Sequence, residues 1–242
     1  MTAFRAALEA GADGVELDVH LSADGVPVVM HNALVDATTD GTGSICDLTL
    51  AEIKQLDAGS HKGPQFAGER VPTLEEVLTT FGDRLLTNIE LKPQSKPNIP
   101  LVATVADLVD RLGLAERVWV SSFKPYSLFQ MRQVAPAVPC GLLYSPMSLG
   151  TLWVAPLTPF EAVHPHLTMV PDWFVRMMHL IGRRVVVWTV DEIARARSLA
   201  AAGVDGIITN DPGAVLEGLW SSADQGARED PREARHEPSG SW

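Results

Sequence analysis

Cysteine is scarce in this chain: two residues, Cys46 and Cys140, stand among 242. Neither belongs to a metal-ligand spacing, and two thiols so far apart do not suggest a disulfide framework, so buried, unpaired thiols are the expected state of both. Positive charge is also in deficit. Against 30 acidic residues there are 19 Lys and Arg, a net charge of −11, and no basic stripe interrupts it, so the electrostatic footprint of a nucleic-acid binder is missing. Long apolar runs are lacking too. None approaches the roughly 20 residues needed to cross a bilayer, and a cytoplasmic protein without a transmembrane segment is expected.

A hydrophobic content of 46% with 20% charged residues describes a globular protein with a sizeable core. An α/β barrel of the common kind needs about 250 residues, so one domain is enough. Apolar runs that read as strands occur near 13–19, 26–31, 85–92, 117–123, 139–144, 161–164, 184–190 and 205–209. Amphipathic stretches that read as helices fall at 2–10, 49–56, 73–80, 99–112, 126–134, 172–181, 191–202 and 212–219. This alternation is the pattern of a parallel sheet wrapped by helices. Ala23-Asp24-Gly25 is a hairpin signal, so 26–31 extends the unit begun at 13–19 and is no separate βα repeat.

An internal echo supports a (β/α)8 barrel: Ala10-Gly11-Ala12-Asp13-Gly14-Val15 resembles Ala202-Gly203-Val204-Asp205-Gly206-Ile207. Each begins with a glycine just past a helix, where a left-handed residue is favoured, and then enters a strand. Without the hairpin strand the count is seven where a closed barrel needs eight, and the chain opens directly in a helix. The missing strand is expected before that helix. From about Ser221 the sequence is rich in Ala, Arg, Glu, Pro, Ser and Gly, with almost no aliphatic residues. The expected organisation is therefore a barrel domain over residues 1–220 and a disordered tail over 221–242.

The charges inside three strand-like segments carry the chemistry: Glu16-Leu17-Asp18, Val28-Val29-Met30-His31 and Glu90-Leu91-Lys92. Side chains alternate along a strand, so Glu16 and Asp18 share one face, and Glu90 and Lys92 share another. A water-facing strand is the plain alternative for Glu16 and Asp18, but barrel strands are covered on both sides. For Glu90 and Lys92 the alternative is a local ion pair, and for His31 a core histidine bonded to a carbonyl. Taken together, three carboxylates, a lysine and a histidine make an oxygen-rich cation site beside an acid/base group, suited to work on a phosphate. In so acidic a protein, a bound divalent cation would supply the positive charge that a phosphate requires. His164 and His166 share a face, but Pro165 lies between them and no third ligand is near, so structural roles are expected.

At these residues the chain resembles the glycerophosphodiester phosphodiesterases, over roughly residues 1–216. The matching segments, in order, are Ala3-Phe4-Arg5-Ala6-Ala7 through Val19, Val28-Val29-Met30-His31-Asn32 with the Thr38–Gly43 loop, and Val71-Pro72-Thr73-Leu74. Ile89-Glu90-Leu91-Lys92, Ser121-Ser122-Phe123, Val187-Trp188-Thr189-Val190 and Gly203–Asn210 follow.

The resemblance implies a metal-dependent hydrolase on a TIM barrel, cleaving glycerophosphodiesters to glycerol 3-phosphate and an alcohol. Carried over, it makes Glu16, Asp18 and Glu90 ligands of Mg²⁺ or Ca²⁺, and His31 one of two acid/base histidines. It makes Lys92 a catalytic phosphate contact, and Phe123 and Trp188 substrate contacts, with Trp188 equally open to a core role. The family's opening strand with His-Arg-Gly and the loop ending Pro-Glu-Asn-Thr are not present here. Asn32, Ala37 and Asp191 stand where aspartate, arginine and asparagine are usual. Two other readings stay open: a truncated barrel that binds phosphodiesters without cleaving them, and a lipid phosphodiester lyase of the same fold.

Overall fold

A computed structural model describes residues 1–92, 99–153 and 159–220; the expected tail at 221–242 lies outside the described residues. In chain order the elements are α1 (Thr2–Glu9), β1 (Gly14–Leu21), β2 (Pro27–Val29), α2 (Leu50–Ile53), α3 (Leu74–Phe81) and β3 (Leu86–Leu91). Then come α4 (Ile99–Arg111), β4 (Val118–Ser122), α5 (Pro125–Val134), β5 (Cys140–Tyr144), β6 (Ala162–Pro165) and α6 (Phe174–Leu180). The last elements are β7 (Arg184–Val187), α7 (Ile193–Ala202), β8 (Gly206–Ile207) and α8 (Pro212–Trp220).

The strands form one sheet in the order β2-β1-β3-β4-β5-β6-β7-β8. Only the β1–β2 pair is antiparallel, as the Ala23-Asp24-Gly25 hairpin requires, with Leu21 opposite Pro27. β1 and β3 through β8, seven strands, run parallel in the curled, helix-covered arrangement of a TIM-type barrel. Among the described residues no ladder joins β8 to β1.

Local sequence explains where elements start and stop. Thr73 accepts the Glu76 backbone N–H at 3.1 Å while the Glu76 carboxylate accepts the Thr73 N–H at 2.8 Å, a reciprocal cap that starts α3. The two echoed glycines, Gly11 and Gly203, end α1 and α7 at φ of +83° and +84°, in the left-handed region where a Cβ is penalised.

The outward strand faces carry Leu17, Val19, Ile89, Leu91, Val120 and Leu142, packed in one core with Leu74 and Val77 of α3, Val105 of α4 and Leu128 of α5. A second, smaller core of Val28, Met30, Val35, Ile45, Ile53 and Val71 lies under the long segment between β2 and α3.

Some expected bounds are corrected. β2 stops at Val29, and one further bond, Met30 N–H to the Asp18 carbonyl at 3.0 Å, precedes a bend that holds His31. The chain turns there because Met30 and Val35 are drawn into the smaller core. β7 and β8 are shorter than their apolar runs, since among the described residues β8 pairs on one side only. Cys140 is buried as expected, but Cys46 is exposed, because it sits in a surface turn between Ser44 and Asp47.

Candidate active site

Period-two alternation on β1 sends Leu17 and Val19 to the helical layer and leaves Glu16 and Asp18 on the opposite face. Parallel pairing sets Glu16 beside Asn88 and Asp18 beside Glu90. One oxygen from each of Glu16, Asp18 and Glu90 lies within 4.8 Å of the other two. Among the described residues no other trio of His, Cys, Asp or Glu side chains converges in this way. Lys92, just past β3, places its ammonium 3.0 Å from Asp18 Oδ1 and 2.6 Å from Glu90 Oε1.

Burial dominates the electrostatics here. It raises Glu16 to about 8, helped by the charges of Asp18 and Glu90. It also raises Glu90 to about 7, although Lys92 pulls the other way. At Lys92 the balance is reversed: burial disfavours the ammonium, but Glu90 and Asp18 outweigh it and hold it above its ordinary value. Three carboxylates against one ammonium leave a surplus of two negative charges when all are ionised. A buried surplus of this kind is costly without a counter-charge. Asn88, beside Glu16, buries an amide whose nitrogen and oxygen have no partner within the protein. This donor set, all hard oxygens with excess negative charge, fits a divalent cation.

A cavity of about 700 Å³ opens beside the carboxylates, and Glu90, Lys92, His31 and Phe123 all line it. His31 hydrogen-bonds through Nδ1 to Asn32 Oδ1 at 2.6 Å. Trp188 packs edge-on against Phe123, with centroids 5.6 Å apart, and donates from Nε1 to the His164 carbonyl at 2.7 Å. It stands one ring removed from the cavity. Thus six of the seven residues singled out in the sequence gather at one end of the sheet, and Trp188 supports them through Phe123.

His164 is buried in the sheet interior, whereas His166 turns to Thr168 at 2.8 Å, so they do not act as a ligand pair. Sequence reasoning missed His20, Asp36 and Lys124, which also line the cavity. A signal existed for two of them: His20 continues the Glu16, Asp18 alternation, and Lys124 follows the end of β4. Asp36 comes from the long loop, whose path depends on the smaller core.

Comparison with known proteins agrees with this geometry. The sequence model of the Glycerophosphoryl diester phosphodiesterase family matches residues 1–214. A glycerophosphodiester phosphodiesterase of Caldanaerobacter subterraneus subsp. tengcongensis is 40% identical over 218 residues, covering 89% of this chain and 89% of that one. One from Bacillus subtilis is 34% identical over 218 residues, covering 83% of this chain and 74% of the relative. Among solved structures, an Oleispira antarctica phosphodiesterase in complex with the product sn-glycerol-3-phosphate superposes with a TM-score of 0.81. It is 28% identical, and the match covers 89% of this chain and 88% of that one.

Proposed function

The chain belongs to the glycerophosphoryl diester phosphodiesterase family, and on that premise we propose that it hydrolyses glycerophosphodiesters to glycerol 3-phosphate and an alcohol in the cavity beside Glu16, Asp18 and Glu90. The observation that carries this reading is the convergence of three carboxylates, with Lys92 and His31 opening onto the same space. Glu90 is the penultimate residue of β3 and Lys92 follows that strand, so the site opens toward its C-terminal end, where TIM-barrel enzymes keep their chemistry.

In this reading Glu16, Asp18 and Glu90 hold a divalent cation, and the all-oxygen set favours Mg²⁺ or Ca²⁺ over Zn²⁺. When bound, that cation neutralises the phosphodiester and polarises its phosphorus–oxygen bonds. Lys92 adds a point charge for the negative charge that grows on the phosphoryl oxygens. Asp18 and Glu90 hold its ammonium from two sides, so the charge is already oriented before substrate enters.

His31 handles the proton. With Nδ1–H donated to Asn32 Oδ1, Nε2 of the doubly protonated ring would give its proton to the departing alcohol oxygen as a water oxygen bonds to phosphorus and the bond to that alcohol breaks. Phe123, backed by Trp188, supplies an apolar wall against which the carbon portion of the substrate rests.

The test is release of choline from glycerophosphocholine in the presence of Mg²⁺ or Ca²⁺, comparing the natural protein with Asp18→Asn. Release by the natural protein with a loss of at least about 100-fold in the variant supports the reading. Equal release from both would place the chemistry elsewhere.

A further inference from the structure

We propose that His164 is a positioning residue for the carboxylate site, acting on Glu90 through Ser121; this rests on the reading that Glu16, Asp18 and Glu90 hold a divalent cation.

Pairing sets Asp18, Glu90, Ser121 and Gly141 side by side on β1, β3, β4 and β5. Partner side chains on adjacent parallel strands stand about 4.8 Å apart, near enough to be joined by a hydrogen bond or by one water. The fourth position of the row has no side chain of its own. His164, which starts from β6 opposite Leu143, leans back across β5 and occupies it. A Cβ built on Gly141 would lie 2.4 Å from His164 Nε2. The row across the sheet is therefore Asp18, Glu90, Ser121 and the imidazole.

The ring is held firmly. It stacks on Trp119 at 5.8 Å between centroids and 29° between planes, and Trp188 fixes its backbone carbonyl. Filling space between these rings needs no nitrogen, and a leucine would serve. Yet both ring nitrogens of His164 and the Ser121 hydroxyl are buried with no hydrogen-bond partner in the protein, at 1% and 0% exposure. Buried polar groups are normally bonded, because leaving them unbonded is costly. Two such groups next to each other and next to a buried carboxylate have an evident use. Burial holds the ring in its neutral form, which has one donor and one acceptor nitrogen. Neither link is made directly within the protein, so the proposed chain runs through water: one water joins the His164 N–H to the Ser121 oxygen, and another joins the Ser121 O–H to Glu90. Such a bond would fix the carboxylate's rotation toward its cation, as outer partners of metal ligands do.

The experiment is calorimetric titration of the full chain with Ca²⁺ alone, with thermal melts of the cation-free proteins alongside. Ser121→Ala and His164→Leu are each expected to weaken binding roughly tenfold. The double variant should lose no more than either single one, because the two act in series, and His164→Gln should recover most of the affinity. Should His164→Leu fail to fold, Ser121→Ala decides, since it deletes one oxygen and leaves the packing. Natural-protein affinity in Ser121→Ala and His164→Leu, with only the melting temperature lowered, would reduce His164 to packing and overturn the proposal. Absence of Ca²⁺ binding in the natural protein would instead overturn the carboxylate-site reading, and the proposal with it. Binding by the natural protein that Glu90→Gln abolishes keeps the two failures distinct.

Discussion

Glu90 and Lys92 lie two residues apart on one face, with Oε1 and Nζ separated by 2.6 Å, yet the carboxyl of Glu90 is raised to about 7. Desolvation outweighs the attraction of a single ammonium, and the same effect raises Glu16 to about 8. A buried cluster in this condition is short of positive charge.

The first prediction concerns pH. Both carboxyls have folded-state values above the ordinary 4.5 of the unfolded chain, so between these values the folded form holds protons that the unfolded form has released. Stability contributed by these groups is complete below about pH 4.5 and is lost as pH rises through 7 and 8. Melting temperature in chelator should therefore fall from pH 5 toward pH 8.5 by a margin that Glu16→Gln reduces. Added Mg²⁺ or Ca²⁺ should restore it most at the alkaline end, and a chelator-insensitive, pH-flat melt would count against the site.

Removing the proposed acid separates chemistry from binding. His31→Ala should lower turnover of glycerophosphocholine by a factor of about 10² to 10⁴ and leave Ca²⁺ affinity within about twofold of the natural protein, since His31 is not among the three converging carboxylates. Unchanged turnover would remove His31 from the mechanism.

The aromatic wall should behave differently again. Phe123→Ala removes the ring that lines the cavity and meets Trp188 edge-on, so KM should rise several-fold with kcat less affected. Trp188→Phe, which keeps a ring but loses the bond to the His164 carbonyl, should cost about 1 kcal/mol of stability and little KM.

Two glycines are predicted to resist substitution for different reasons. Gly203→Ala meets no atom within 4 Å and suffers only for its φ of +84°, which costs about 1 kcal/mol. Gly141→Ala would drive a methyl against the His164 ring. Its cost should approach the roughly 1–3 kcal/mol of an overpacked core, and it should fall markedly in a His164→Ala background.

Much of this arrangement could be read from period and punctuation alone. Glu16-Leu17-Asp18 and Ile89-Glu90-Leu91-Lys92 announce their faces by alternation, Gly11 and Gly203 mark the same helix-to-strand passage, and Ala23-Asp24-Gly25 turns the hairpin. These are local signals, decided within a few residues. What escaped is decided at a distance. The lean of the His164 ring over Gly141 depends on the missing side chain there, two strands from Glu90, which no periodicity encodes. Asp36 reaches the cavity because Val28, Met30, Val35 and Ile45 collapse together, and Cys46 is exposed because the surrounding turn faces outward. Likewise β7 and β8 end before their apolar runs do, because pairing with neighbours and not hydrophobicity sets their length.

The most direct measurement on the central claim is ³¹P NMR of glycerophosphocholine incubated with the protein. With Mg²⁺ or Ca²⁺ present, the diester resonance should give way to that of glycerol 3-phosphate. The conversion should stop in chelator, resume when the cation is restored, and be absent in Asp18→Asn. A diester signal that persists under every condition, or conversion indifferent to both chelator and the Asp18 substitution, would contradict hydrolysis at the Glu16, Asp18 and Glu90 site.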